Sequence, residues 1–330
     1  MLPQYRPPTH LIGAIVTVLL CSTATRICGQ EIKCYHPAVP PNTRVTLSTP
    51  GLTPGTTAVY QCDEGYETFG NTTLVCSPTG QWQGEIPFCG INVAYRKPAN
   101  QSTTAKGGNA IHANDGDKTT NHNEKMCTET YKEASPWWQV DLLRPYPVKV
   151  IRVTTRGCCG QQPLQDLEIR IGNNSHQLQK NPLCAWFPGT LEEGVTKTFT
   201  CARTLIGQYV FVQLGVEGTL SLCEVEVFSS DELPVHHCQS SKNLENAALA
   251  TFAKKCYFFE VNKGSTFKTA RSTCQSINSD LIHNLTTLDM SFLRAQLDRW
   301  KPKLKTQLVW LGANKDPGVI ARTWKWVNGE

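Results

Sequence analysis

The chain is predicted to be mostly β and multidomain, with two disulfide-stapled β modules followed by a smaller α+β segment. Three observations carry this. Fifteen cysteines in 330 residues point to an oxidising compartment, where small modules are stapled rather than built on a large core. Between Pro136 and Gly172 the runs Pro136 to Leu143, Val148 to Arg156 and Leu167 to Gly172 include two that alternate apolar with polar residues, the period of a half-buried strand. Beyond Cys238 the pattern changes to helix-like stretches at Thr266 to Ser276, with Ser265 as candidate cap, and at Leu288 to Trp300.

Residues 1–29 hold Arg6, the apolar run Leu11 to Leu20 and a small-residue zone from Cys21 to Gly29. This is a secretory signal, too short to span a membrane, and Cys21 and Cys28 are expected to leave with it. No later run approaches spanning length, so the chain as written is expected to carry no anchor. The glycosylation acceptors Asn71, Asn100, Asn173 and Asn284 fit the same route. No Cys-x-x-Cys pair speaks for zinc, and the net charge of +5 is spread without a basic block, so no nucleic-acid partner is implied.

Residues 32–90 are rich in Pro, Gly and Thr and carry Cys34, Cys62, Cys76 and Cys89. So small a segment needs disulfides in place of a core. Tyr60-x-Cys62, Gly65-Tyr66, Leu74-x-Cys76, Gly80-x-Trp82 and Pro87-x-Cys89 resemble a sushi (complement control protein) module. The resemblance implies Cys34 bonded to Cys76, Cys62 to Cys89, and Trp82 as the core aromatic. Such a module serves as a spacer or a protein-binding bead.

In residues 91–230 the Pro136–Gly172 stretch reads as an antiparallel β-sheet with a special loop at its tip, Gly157-Cys158-Cys159-Gly160, and further runs follow at Tyr209 to Leu214 and Glu224 to Phe228. Neighbouring cysteines either close a cramped ring with each other or pair with distant partners. The tryptophan pair Trp137-Trp138 and an arginine ahead of adjacent cysteines resemble the F-type lectins, the fucolectin family. That resemblance implies a β-sandwich of jelly-roll type. It also implies a Cys158–Cys159 bridge and the pairs Cys127–Cys223 and Cys184–Cys201.

Residues 231–330, with Cys256-Tyr257-Phe258-Phe259, Val309-Trp310-Leu311-Gly312 and Trp324-Lys325-Trp326-Val327, resemble the first two thirds of a C-type lectin-like domain. Cys238 and Cys256 then form the extra amino-terminal bridge, and Cys274 is left without its family partner. With two cysteines in the leader, thirteen remain, an odd number. The order of modules is similar to the amino-terminal part of insect Furrowed-like, selectin-type receptors, in which further repeats and a membrane anchor follow. The carboxyl-terminal part is therefore expected to be missing.

Two sites are expected. Asn114-Asp115-Gly116-Asp117 sets two carboxylates around a glycine, a turn that suits a hard cation and is equally common as a plain surface turn. The fucolectin resemblance implies a structural calcium here, held by Asp115, Asp117 and the Cys223-Glu224 arm, with the backbone at His112 and Met126. The second is a sugar pocket in which that resemblance implies Arg156 as a sugar donor and Cys158 with Cys159 as an apolar wall. Glu129 stands where the family has a histidine and Gln162 where it has a second arginine, so free fucose is expected to bind weakly. The pocket is then either a retained scaffold or one of altered specificity.

No Gly-x-Ser-x-Gly, His-Glu-x-x-His or Gly-x-x-x-x-Gly-Lys pattern occurs, His36, His112 and His122 read as loop residues, and no enzymatic activity is expected. Lys301-Pro302-Lys303-Leu304-Lys305 reads as a solvated loop or a contact for acidic glycans. The sequence thus predicts a secreted or cell-surface adhesion protein of the lectin class, with calcium as cofactor and glycans or glycoproteins as partners. A membrane would be reached only through an anchor beyond this chain. The rival is a protein-binding module whose lectin folds have lost sugar affinity.

Overall fold

The computed structural model describes residues 31–330 except 106, 121–126, 159, 161–162, 239–248, 261–263, 302–307, 316–323 and 329–330. The leader, His122, Met126, Cys159, Gln162 and most of the Lys301–Lys305 cluster lie outside the described residues. No described helix is long and apolar enough to cross a membrane.

Six short strands build the first module: β1 (Thr43–Leu47), β2 (Thr57–Cys62), β3 (Glu67–Phe69), β4 (Thr73–Cys76), β5 (Trp82–Gln83) and β6 (Phe88–Asn92). An antiparallel sheet in the order β1-β2-β4-β5 covers a core of only Ala58, Tyr60 and Leu74, against which Trp82 packs half-buried. So small a core depends on its staples, Cys34–Cys76 and Cys62–Cys89.

The second module contains β7 (Ala99–Gln101), β8 (Trp137–Thr155), β9 (Leu164–Gly172), β10 (Leu183–Leu191), β11 (Thr196–Leu214) and β12 (Leu222–Ser229). Two of these are long and shared. β8 turns at Leu143, where φ is 69°, and passes Pro145 and Pro147. Its first half pairs with β7 and the end of β11, and its second half with the start of β11 and with β12. The result is a sandwich of two sheets, β10-β9-β11-β8-β7 and β11-β8-β12-β6, joined through the long strands at the corner. Alternation sends Trp138, Val140, Ile151, Val153, Ile169, Val210, Val212 and Val225 inward, each fully covered. The runs flanking the adjacent cysteines are strands, but they do not pair: β11 lies between β8 and β9, so the Arg156–Pro163 connection passes from one sheet to the other instead of forming the tip of one. Cys127–Cys223 and Cys184–Cys201 staple this module.

The modules share strands. β6 continues past Cys89 to pair Ile91 and Asn92 with Ser229 and Phe228 of β12, while β3 pairs with β6. Arg152 of β8 is bonded to Glu67 of β3 and to Glu226 of β12, beneath Phe69 and Phe228 whose rings lie 4.5 Å apart.

The third segment holds β13 (Leu249–Phe252), β14 (Lys255–Phe258), α1 (Phe267–Gln275), α2 (Thr287–Trp300), β15 (Ala313–Lys315) and β16 (Trp324–Trp326), with Cys238 bonded to Cys256 and Cys274 free. α1 is capped by Thr266, not Ser265: the Thr266 side chain accepts from Thr269 N at 3.3 Å, while the Ser265 carbonyl is taken by Trp310 Nε1. α2 opens on a capping box between Thr286 and Asp289. Phe252 and Phe292 stack at 4.6 Å and pack with Leu143 of β8, and Lys97 Nζ lies 4.4 Å and 4.7 Å from their rings.

Candidate functional site

One end of the sandwich gathers the 109–120 segment, residues 127–130, the start of the β8–β9 connection and the β10–β11 turn. At its first corner the 115–119 backbone winds around its own aspartates. Asp115 Oδ1 accepts from Asp117 N and Asp117 Oδ1 from Thr119 N, both at 2.9 Å. Gly116 lies at φ +89°, and a Cβ there would stand 2.7 Å from the Tyr95 ring, so no other residue fits without moving Tyr95. The Gly116 N–H donates to Glu224 Oε2 at 3.3 Å, which ties β12 to the turn. Asn114, 1% exposed, anchors the turn from below by donating to the carbonyls of Ala94 and Lys97.

Burial governs the charges here. Glu224 is 1% exposed and its Oε1 has no hydrogen-bond partner. Burial pushes its carboxyl up to about 8, with the neighbouring Asp115 adding to the rise. Burial also raises Asp115, whereas hydrogen bonds from Thr119 hold Asp117 low. Among the described residues no three His, Cys, Asp or Glu side chains converge as a metal-holding group. Asp117 instead turns back to Thr119, leaving Asp115 and Glu224 as the carboxylates beside the Gly116 N–H. His112 reaches Cys127 O with Nδ1 at 3.4 Å, and Cys223 is bonded to Cys127. An orphaned, buried carboxylate oxygen beside a second carboxylate fits a hard cation that takes oxygen ligands, with backbone carbonyls making up the number.

The second corner is joined to the first by a backbone bond from Gly157 N to Thr120 O. Arg156, at the end of β8, donates from Nη1 to Glu129 Oε2 at 2.9 Å, with the two side chains 11% and 13% exposed. Backbone pairing fixes Glu129: its N donates to Gly108 O and its carbonyl accepts from Ala105 N, so close that a Cβ on Gly108 would lie 2.4 Å from Glu129 N. Arg156 is held by Gly194 N, which donates to its carbonyl. Cys158 is disulfide-bonded and half-buried beside them, while Cys159 and Gln162 lie outside the described residues.

Several residues of this end carry no signal in the sequence. Asn114 looks like any residue before an Asp-Gly turn, Gly108 like any loop glycine, and the Lys118–Glu226 pair at 2.8 Å joins positions 108 apart.

Comparison with known proteins agrees with the fold. Residues 112–212 match the NedA-like, galactose-binding domain family, and residues 34–89 match the sushi (SCR) repeat. The chain is 40% identical over 143 residues to Fucolectin-5 of Anguilla japonica, covering 41% of this chain and 75% of that protein. With Fucolectin-4 of the same species it shares 41% over 163 residues, covering 47% and 89%. Among solved structures, a fucolectin from striped bass serum (Morone saxatilis) is 36% identical, covers 43% of this chain and 50% of that one, and aligns with a TM-score of 0.40. The chain belongs to the fucolectin, or F-type lectin, family, with a sushi module ahead of the lectin sandwich.

Proposed function

We propose that this is an extracellular lectin that recognises glycans or glycoproteins on cell surfaces through the Glu129–Arg156 corner. Its relatives of 40% and 41% identity are named fucolectins. The observation that carries the reading is the ion pair itself: a guanidinium and a carboxylate meet at 2.9 Å in a largely covered corner beside an oxidised cysteine. Sugar hydroxyls are read by fixed donors and acceptors against an apolar wall, and this corner supplies all three. Glu129 accepts where a histidine would donate, so the ligand would be one that offers a hydroxyl donor, and free fucose would be a poor one.

Calcium belongs to the same proposal as a structural cofactor. It would be held by Asp115 and Glu224, with Asp117 and the backbone at His112 and Cys223 nearby and Met126, the other expected backbone ligand, outside the described residues, and when bound it would supply the positive charge that offsets burial of the Glu224 carboxylate. A role in cell adhesion, a selectin-type organisation and a C-type lectin-like identity for residues 231–330 are supported by module order and by a hairpin and two helices in sequence.

A second reading has its own support. Arg156 is already paired with Glu129, as expected of a lectin fold that has lost its sugar and recognises proteins instead. A glycan array read with and without a chelator separates the two. Calcium-dependent signals on defined glycans, weakened by Arg156→Ala, uphold the lectin, and flat signals uphold the rival.

A further inference from the structure

The outer face of the β10-β9-β11-β8-β7 sheet carries an ordered set of groups that neither corner uses. In one register row stand Trp137, Gln213, Glu168 and Trp186, one from each of β8, β11, β9 and β10. The adjacent row runs from Asn100 on β7 through Gln139, Phe211 and Arg170 to Leu183. Alternation places both rows away from the core, which takes the intervening residues. At the β10 edge Trp186 is 59% and Leu183 48% exposed. In the middle, Gln139 is 8% exposed, and the Gln139 amide and Trp137 Nε1, neither of which bonds to another described residue, are left open to solvent on this face.

Indoles separated by amides and a carboxylate suit a saccharide, which lays C–H faces on rings and offers hydroxyls to amides. An amide with no partner in the protein has both its N–H and C=O groups free to exchange water for sugar hydroxyls. The source of the saccharide is on the same face. Asn100 begins the sequon Asn100-Gln101-Ser102, is exposed, stands directly across from Gln139, and uses only its Oδ1, which accepts from Gln101 N at 2.9 Å. We propose that Asn100 carries an N-glycan that lies across this face, covering Gln139 and Trp137 and running toward Trp186.

The attachment joins Asn100 Nδ2 to the anomeric carbon of a lipid-linked oligosaccharide diphosphate in the secretory pathway. The nitrogen gives up one proton and the lipid diphosphate leaves. From β7 to β10 is four strand spacings, about 19 Å, a span for a glycan core of several sugars. Because the glycan is tethered, it binds without the entropy cost of association, so weak contacts suffice to hold it. This inference is independent of the sugar corner and would stand if that corner bound nothing.

The test uses the full chain secreted from eukaryotic cells. Glycopeptide mass spectrometry reads occupancy at Asn100, and native peptide-N-glycosidase digestion compares its release rate with that at Asn71, an exposed turn residue of the first module. Asn100 is expected to be occupied and its glycan released at least about tenfold more slowly, the protection that roughly 1.4 kcal/mol of contact gives. Trp186→Phe, which removes the indole N–H that bonds Asp166 and shrinks the exposed ring, and Gln139→Leu, which removes the amide, should each raise the Asn100 rate, with an unchanged melting temperature checking that the fold is kept. An unoccupied Asn100, release as fast as at Asn71, or protection unchanged in both variants would overturn the proposal. Binding of added chitobiose to this face in a wild-type chain with Asn100 unoccupied would overturn it too, by giving the face to an external ligand.

Discussion

Glu224 offers the sharpest experiment, because its charge state, the calcium site and the stability of the sandwich are one problem. In the folded chain burial pushes its carboxyl up to about 8 against an ordinary 4.5. A folded value above the unfolded one means that the favourable contribution is complete below about pH 4.5 and is lost as pH rises toward 8. At about 1.4 kcal/mol per pH unit, that gap amounts to roughly 5 kcal/mol, or a fall in Tm of roughly 10 °C or more for a module of this size. Calcium would replace the proton and remove the loss. The assay is calorimetry from pH 5 to pH 8 with chelator and with calcium. Lys97, which burial pulls down to about 7, titrates in the same range with the opposite sign, so Glu224→Gln is the reference that isolates the carboxyl. Chelated wild type should lose stability relative to Glu224→Gln as pH rises, and calcium should restore it in wild type alone. If chelated wild type and Glu224→Gln run parallel across the range and calcium shifts neither, then Glu224 is not a buried ligand in waiting and the Asp115 turn is an ordinary one.

The remaining expectations can be measured on the same preparation. Titration calorimetry should show free fucose binding weakly to wild type and at least about tenfold better to Glu129→His with Gln162→Arg, since a charged donor contributes roughly 1 to 2 kcal/mol more than a neutral one; tight binding by wild type refutes this. Replacing Cys34 and Cys76 by Ser should cost roughly 2 to 5 kcal/mol in denaturant titration, and a loss under 1 kcal/mol would show that the small core needs no staple. Arg152→Ala, which removes the link between Glu67 of the first module and Glu226 of the second and leaves Glu226 only Lys118, should free the first module so that protease cuts near Gly90 sooner than in wild type; equal cleavage times would mean that the shared strand alone holds the joint. Glu232→Ala, which takes the acceptor from the Tyr146 hydroxyl and from the N–H groups of Ala253 and Lys254, should cost roughly 1 to 3 kcal/mol, with residues beyond 249 digested first, and an unchanged digest would dismiss that contact as the clamp.

What was legible in the sequence is what is local. Val148 to Arg156 reads as a strand because it is dense in β-branched residues with polar ones interleaved, and in the sandwich Val148, Val150, Ile151 and Val153 are all fully covered. The cap of α1 falls one residue later than expected: Ser265 and Thr266 have the same chemistry, and the backbone enters helical dihedrals only after Thr266, which is still extended at φ −73° and ψ 160°. Pairing between strands was not legible: β8 and β9 are close in sequence with a short turn between them, yet β11, which follows β10, lies between them. The Glu129–Arg156 contact joins positions 27 apart, and only the family resemblance put the two side chains in one pocket. The place of Gln139 on this face had no signal at all, since its meaning depends on Asn100, on the preceding strand and 39 positions earlier.

Glu232 shows why the joints between modules are the least legible part. In the sequence it sits in Asp231-Glu232-Leu233-Pro234, which reads as a linker. In the fold it is 5% exposed and each of its three oxygens accepts a hydrogen bond from another segment. Its carboxylate accepts from Tyr146 Oη at 2.7 Å on the lectin side and from the N–H groups of Ala253 and Lys254, both at 2.8 Å, on the other, while its carbonyl accepts from Tyr66 Oη of the first module at 2.6 Å. Ala253 and Lys254 lie at φ 51° and 59°, the left-handed pair that a two-residue hairpin requires and that neither side chain favours. A carboxylate receiving both of their N–H groups offsets that conformational cost. The hairpin of the third segment is therefore stabilised by a residue of the lectin's own border, and the three modules meet at one residue, through its carboxylate and its carbonyl, whose importance lies in partners distant along the chain.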